Sequence, residues 1–77
     1  MLAHRETFFR CIYAPSSGGE SRQRVAHVTA WDASEAVQLF QAELREDGID
    51  ERGTIEVVPL AGGRAARRAY RPRPVTH

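Results

Sequence analysis

The sequence predicts a small α+β domain of order ββαβ, in which a three-stranded, mainly antiparallel sheet carries one helix on one face. Three observations predict this fold: two segments rich in aromatic and β-branched residues flank a Gly/Ser turn, an amphipathic helical pattern follows them, and a short apolar segment comes last. A length of 77 residues leaves room for one domain at most. We assign residues 1–63 to this domain and residues 64–77 to a basic, flexible tail.

The first two predicted strands form an antiparallel hairpin. Residues 7–14 and 22–31 have strand-like compositions, and residues 15–21 between them have the composition of a turn. Side chains alternate along a strand, so two rows face opposite ways: Phe9, Cys11 and Tyr13 on one side, Phe8, Arg10 and Ile12 on the other. We expect the first row under the helix because it is the more apolar. The long loop leaves the register of the second strand open.

The helix has the strongest local signals in the chain. Asp32 is suited to cap its first turn, Glu35 completes a pattern like a capping box, and Gly48 is a natural end. Trp31 precedes the cap and is expected to close the corner as a hydrophobic staple, with an exposed stacking platform as the alternative. The apolar residues fall in one stripe: Ala33, Ala36, Val37, Phe40 and Leu44.

Residues 54–60 are the third predicted strand. Pro59 has no N–H to donate, so the strand should lie at a sheet edge or end near that residue. We favour the strand order 2-1-3, and a right-handed crossover that places the third strand parallel to the second is the alternative. The expected core combines the helical stripe with inward strand residues: Phe9, Tyr13, Val37, Phe40, Leu44, Ile55 and Val57.

Charge is distributed unevenly along the chain. Residues 1–63 hold 6 Arg and all 10 acidic residues, a net charge of −4, whereas residues 64–77 hold 5 Arg and no acid, a net charge of +5. A short helix at 64–70 would align several of these guanidinium groups, because their spacing is close to the helical repeat. The candidate phosphate-binding residues are Arg64, Arg67, Arg68, Arg71 and Arg73.

Composition also bears on the source and the compartment. The chain has no lysine and no asparagine, a bias typical of a GC-rich coding sequence, and this predicts a bacterial protein. Cys11 is the one cysteine, which excludes an intramolecular disulfide and predicts a cytoplasmic location. We find neither a signal-peptide pattern nor an apolar run long enough to span a membrane.

Residues with catalytic or metal-binding potential show no recognisable arrangement. His4, His27 and His77 have no metal-ligand spacing with Cys11, which we expect to be buried and inert. The acidic residues around the predicted helix end are typical of a solvated surface: Glu43, Glu46, Asp47, Asp50 and Glu51. We therefore expect no enzyme activity, no cofactor, no metal and no small-molecule substrate.

The second row of the first strand has no element to cover it. Phe8, Arg10 and Ile12 are still largely apolar as a set, and one helix covers only one side of a sheet. We consider three groups that would cover this row: the C-terminal tail folding back, a second copy of the chain, or an outside ligand. The first hypothesis for function is thus a non-catalytic interaction module that self-associates, as a homodimer, through a sheet face or edge, or binds another protein. The alternative is a nucleic-acid-binding accessory protein that uses the Arg-rich tail.

Overall fold

The computed structural model describes residues 6–18 and 22–72. Its elements follow in the order β1 (Thr7–Pro15), β2 (Arg24–Ala30), α1 (Ala33–Glu46), β3 (Gly53–Pro59) and β4 (Ala66–Tyr70). The strands form one antiparallel sheet of order β2-β1-β3-β4, and α1 packs on one of its faces. The fold is therefore α+β, as predicted, but the sheet has four strands where the sequence predicted three.

The fourth strand corrects the prediction for the C-terminal segment. The sequence predicted a flexible tail in which the arginine spacing allowed a short helix at 64–70, yet β4 pairs with β3 along its length. Tyr70 is only 1% exposed, and its hydroxyl donates a 2.6 Å hydrogen bond to the Ile49 carbonyl. Its ring makes a T-shaped contact with the Tyr13 ring, with the two centroids 5.3 Å apart. Burial of a large aromatic side chain outweighs the helix propensity of an Ala/Arg segment. The folded unit therefore continues past residue 63 and includes Tyr70.

Local signals at both ends of α1 act as predicted. Asp32 accepts a 2.9 Å hydrogen bond from the Glu35 backbone N–H, which satisfies one donor of the first turn. At the other end Gly48 has a φ of 78°, and the Ile49 N–H returns to the Leu44 carbonyl at 3.0 Å. This is a Schellman ending, in which glycine takes the left-handed position at no steric cost.

The core lies between α1 and one face of the sheet. All seven residues predicted for it are buried: Phe9, Tyr13, Val37, Phe40, Leu44, Ile55 and Val57. Tyr70 joins them from β4. Gly53 makes this packing possible, since a Cβ there would lie 2.7 Å from the Tyr13 ring and closer still to the Ala14 carbonyl oxygen.

The pairing also settles the register that the long loop left open. Cys11 lies opposite Ala26, so Ala26, Val28 and Ala30 share the covered face. β3 pairs antiparallel with β1, which confirms the order 2-1-3 within the larger sheet and rules out the parallel alternative. β3 ends at Pro59, where the missing N–H no longer interrupts a ladder.

Candidate interaction surface

The face of the sheet that turns away from α1 is called the open face below. It is formed by alternate residues of all four strands, and these include Phe8, Arg10, Ile12, Val25, His27, Thr29, Glu56, Val58 and Arg67. Phe8 is 61% exposed and Val25 is 58% exposed. No other described element packs on this face, so apolar side chains there meet solvent.

The predicted row on β1 lies where the sequence placed it. Phe8, Arg10 and Ile12 all belong to the open face, and the register supplies their neighbours. Arg10 lies between His27 of β2 and Val58 of β3. The open face therefore mixes apolar groups with cationic and aromatic ones.

The basic residues of the C-terminal segment do not form one cluster. In β4, Arg67 belongs to the open face, where its Nε is 3.7 Å from a Glu56 carboxylate oxygen, and Arg68 faces the opposite way. Arg64 precedes the strand, Arg71 follows it, and both are exposed. The alternation of a strand thus separates guanidinium groups that a helix would have aligned. Arg73 lies outside the described residues.

The outer edge of β2 carries unpaired backbone groups. In β1 the Phe8 carbonyl accepts a 3.0 Å hydrogen bond from the Leu60 N–H. Because backbone direction alternates along a strand, the backbone groups of even-numbered β1 residues bond toward β3 and those of odd-numbered residues bond toward β2. With the observed register, the backbone N–H and C=O groups of Val25, His27 and Thr29 point away from the sheet. None of these groups has a hydrogen-bond partner within residues 6–18 and 22–72.

The outer edge of β4 is protected in part by side chains. Its outward-pointing backbone belongs to Arg67 and Ala69, and Arg71 follows directly after the strand. The Arg67 carbonyl accepts a 2.8 Å hydrogen bond from the Arg68 guanidinium, and the Arg71 carbonyl accepts one of 2.8 Å from Arg45 of α1. The Arg71 N–H donates to Gln41 of α1 at 3.4 Å. The two edges of the sheet therefore differ in their readiness to accept another strand.

A groove of about 300 Å³ lies at the hairpin end of the sheet, and its charged groups pair with one another. Arg22 is 3.3 Å from Glu51, and Arg24 is 3.2 Å from Asp47. A hydrogen bond from Ser17 to the Glu51 carboxylate lowers the pKa of that carboxyl, with a smaller contribution from Arg22. Two of the acidic residues near the helix end, Asp47 and Glu51, thus act as partners for arginines across the groove.

Cys11 is fully buried on the covered face. Burial, with a smaller effect from Glu43, raises the pKa of its thiol to about 11, which disfavours the reactive thiolate at neutral pH. His27 lies on the opposite face of the sheet, so the two residues do not form a pair. In the described part of the chain no group of three or more His, Cys, Asp or Glu side chains has a geometry that could hold a metal ion.

Comparisons of the chain with known proteins found no relative. No family model matches the chain, and no curated protein or solved structure is significantly similar to it. Within the described residues, α1 is too short and too polar to cross a membrane.

Proposed function

We propose that this protein is a non-catalytic interaction module that self-associates through its sheet. One observation carries the proposal: α1 covers only one face, and Phe8 and Val25 on the other are more than half exposed. An apolar patch of this kind is a typical interaction site, and association is a common way for a small domain to bury more apolar surface. A cytoplasmic location remains part of the proposal, supported by the single free thiol.

The size of the sheet predicts that association is weak. Strands lie about 4.8 Å apart and advance about 3.3 Å per residue, so a face of this size has a footprint of roughly 400 Å². A standard stable interface buries about 800 Å² on each partner. We therefore expect monomer and oligomer to exchange, with proportions that depend on concentration.

Sedimentation velocity over a wide range of protein concentration tests the proposal. The sedimentation coefficient should rise with concentration, and Val25→Ser should weaken this rise because it removes exposed apolar surface from β2. Leu39→Ser is the matched control, since Leu39 is a 43% exposed apolar residue on α1. A natural chain that stays monomeric at every concentration would contradict the proposal.

A second candidate function is the binding of single-stranded nucleic acid. Arg67 of β4 joins Arg10 and Phe8 on the open face, so two guanidinium groups and an exposed aromatic ring share one surface. An aromatic ring on a sheet can stack on a base while arginines contact phosphates. Of the other predicted tail arginines, Arg68 faces the opposite way, and Arg64 and Arg71 lie beyond the two ends of β4.

Titration of a labelled single-stranded oligonucleotide at about 50 and 200 mM salt tests this candidate. Arg10→Gln should weaken binding and reduce its salt dependence, whereas Arg68→Gln, at an exposed position on the opposite face of the sheet, should change neither. Absence of binding at the lower salt concentration would exclude it.

A further inference from the structure

We infer that β2 is the edge at which two copies meet, pairing antiparallel with β2 of the second copy so that His27 lies opposite its counterpart. This inference rests on the proposed self-association and names the surface and the register that produce it. The resulting dimer would have one continuous eight-stranded sheet, made of two four-stranded halves.

The contrast between the two edges points to β2. Natural sheets blunt an exposed edge with a short strand, a proline, a bulge or covering side chains. β4 has five residues, the Arg68 side chain occupies its Arg67 carbonyl, and Arg45 and Gln41 hold the backbone of Arg71 directly after the strand. β2 has seven residues, contains neither proline nor glycine, and pairs with β1 without a bulge. It is therefore a ready template for another strand.

The backbone directions select the register. Only Val25, His27 and Thr29 present N–H and C=O groups to the outside, and in an antiparallel ladder each directly opposed pair of such residues exchanges two hydrogen bonds. Centring the contact on His27 places Val25 opposite Thr29 of the second copy, so every outward residue of both strands is bonded. A shift by one pair would place Thr29 opposite Gln23, which precedes the strand.

Charge complementarity selects the antiparallel orientation. Arg22 and Arg24 lie at the start of β2, and Asp32 follows its end. The register centred on His27 brings Arg22 of one copy toward Asp32 of the other, and the symmetry repeats this approach at both ends of the contact. A parallel arrangement would bring Arg24 beside its own counterpart, a pairing of like charges that is unfavourable.

The two-fold axis of such a contact is perpendicular to the sheet. Both helices then lie on the same side, and the two open faces join into one surface on the other side. This places His27, Val25 and Thr29 of the two copies at the centre of the joined surface. The edge contact therefore also doubles the open face available to any further partner.

Cysteine cross-linking tests the register directly. Directly opposed residues of a hydrogen-bonded pair have Cα atoms about 5.5 Å apart, within disulfide range. His27→Cys should therefore form disulfide-linked dimers on mild oxidation, as seen on a non-reducing gel. Val25→Cys alone should not, because two copies of residue 25 would lie about 13 Å apart along the strands. A mixture of Val25→Cys and Thr29→Cys proteins should again cross-link. The natural chain is the background control, because its Cys11 is buried.

Proline substitution supplies an independent measurement. His27→Pro removes an outward N–H at the edge, a position where a fold tolerates proline, and should raise the dimer dissociation constant about tenfold or more. Ala69→Pro makes the same change on the outer edge of β4 and should leave the constant unchanged. Circular dichroism checks that both variants fold.

The outcomes separate this inference from the proposed function. If the natural chain sediments only as a monomer, both fail. If it associates while Val25→Cys cross-links as well as His27→Cys, or while a folded His27→Pro associates normally, self-association stands and the β2 contact is wrong. If cross-linking follows the predicted pairs and only His27→Pro weakens association, the contact is established.

Discussion

The covered face and the open face of the sheet are made by alternate residues of the same strands, yet they differ sharply. Phe8 and Phe9 are neighbours of identical type on β1, but Phe8 is 61% exposed and Phe9 is 4% exposed. The difference comes from α1, which lies over only one of the two rows. Residue type therefore does not determine burial in this chain: position relative to the helix does, and the apolar side chains on the uncovered side are available for association.

The largest effect should come from the centre of the covered face. Phe40→Ala removes a ring that is 1% exposed between α1 and the sheet, and should lower the free energy of unfolding by about 3–5 kcal/mol. Urea denaturation measures this loss, and the exposed neighbour Leu39→Ala should cost less than about 1 kcal/mol. A Phe40→Ala cost as small as that of the control would place Phe40 outside the core.

The second-largest effect on stability should come from alkaline pH, which acts through a buried thiol on the covered face. The Cys11 thiol ionises near its ordinary pKa of 9.0 when unfolded and at about 11 when folded, so the folded state holds its proton more tightly. The stabilisation from the protonated thiol is full below pH 9.0 and is lost as the pH rises toward 11. The free energy of unfolding should fall by an amount on the order of 2 kcal/mol over this interval. Burial also raises the pKa of Tyr13, which acts in the same direction.

Denaturation series at increasing pH measure this loss for the natural chain and for Cys11→Ala. The variant should lose less stability over the same interval because it lacks the thiol. Equal slopes for the two proteins would show that the thiol does not contribute.

A smaller effect is expected from the tyrosine hydroxyls at the border of the covered face. Tyr70→Phe removes the hydrogen bond to the Ile49 carbonyl and should cost about 1 kcal/mol, while the ring contact with Tyr13 is kept. Tyr13→Phe is a matched variant, since it removes the equivalent bond to the Glu51 carbonyl. Thermal melts that show no loss for Tyr70→Phe would mean that the hydroxyl bond does not help to hold β4 in place.

The smallest effect on stability should come from the open face. Phe8→Ser replaces a side chain that is already mostly in water, so the free energy of unfolding measured at low protein concentration should change by less than about 0.5 kcal/mol. A large loss of stability in the monomer would mean that Phe8 is covered in solution, which would break the contrast between the two faces.

Sequence patterns predicted much of the fold where the cause is local. The cap at Asp32, the end at Gly48 and the apolar stripe through Phe40 depend on interactions within a few residues, and all appear in the structure. The open row on β1 could be predicted as well, because side chains alternate along any strand. Its partners on β2 could not, since the long loop sets no register and both rows of β2 contain apolar residues.

By itself, then, the sequence determined the helix, the first three strands and the side of β1 that enters the core. Only the tertiary structure decided that residues 66–70 form a strand. Their alanines and arginines favour a helix locally, but Tyr70 reaches the core from a strand beside β3. The tertiary structure also decided that the two edges differ, because the side chains of Gln41 and Arg45 reach the backbone of Arg71, directly after β4, from across the fold. Such long-range contacts depend on how the elements pack, and no spacing along the chain encodes them.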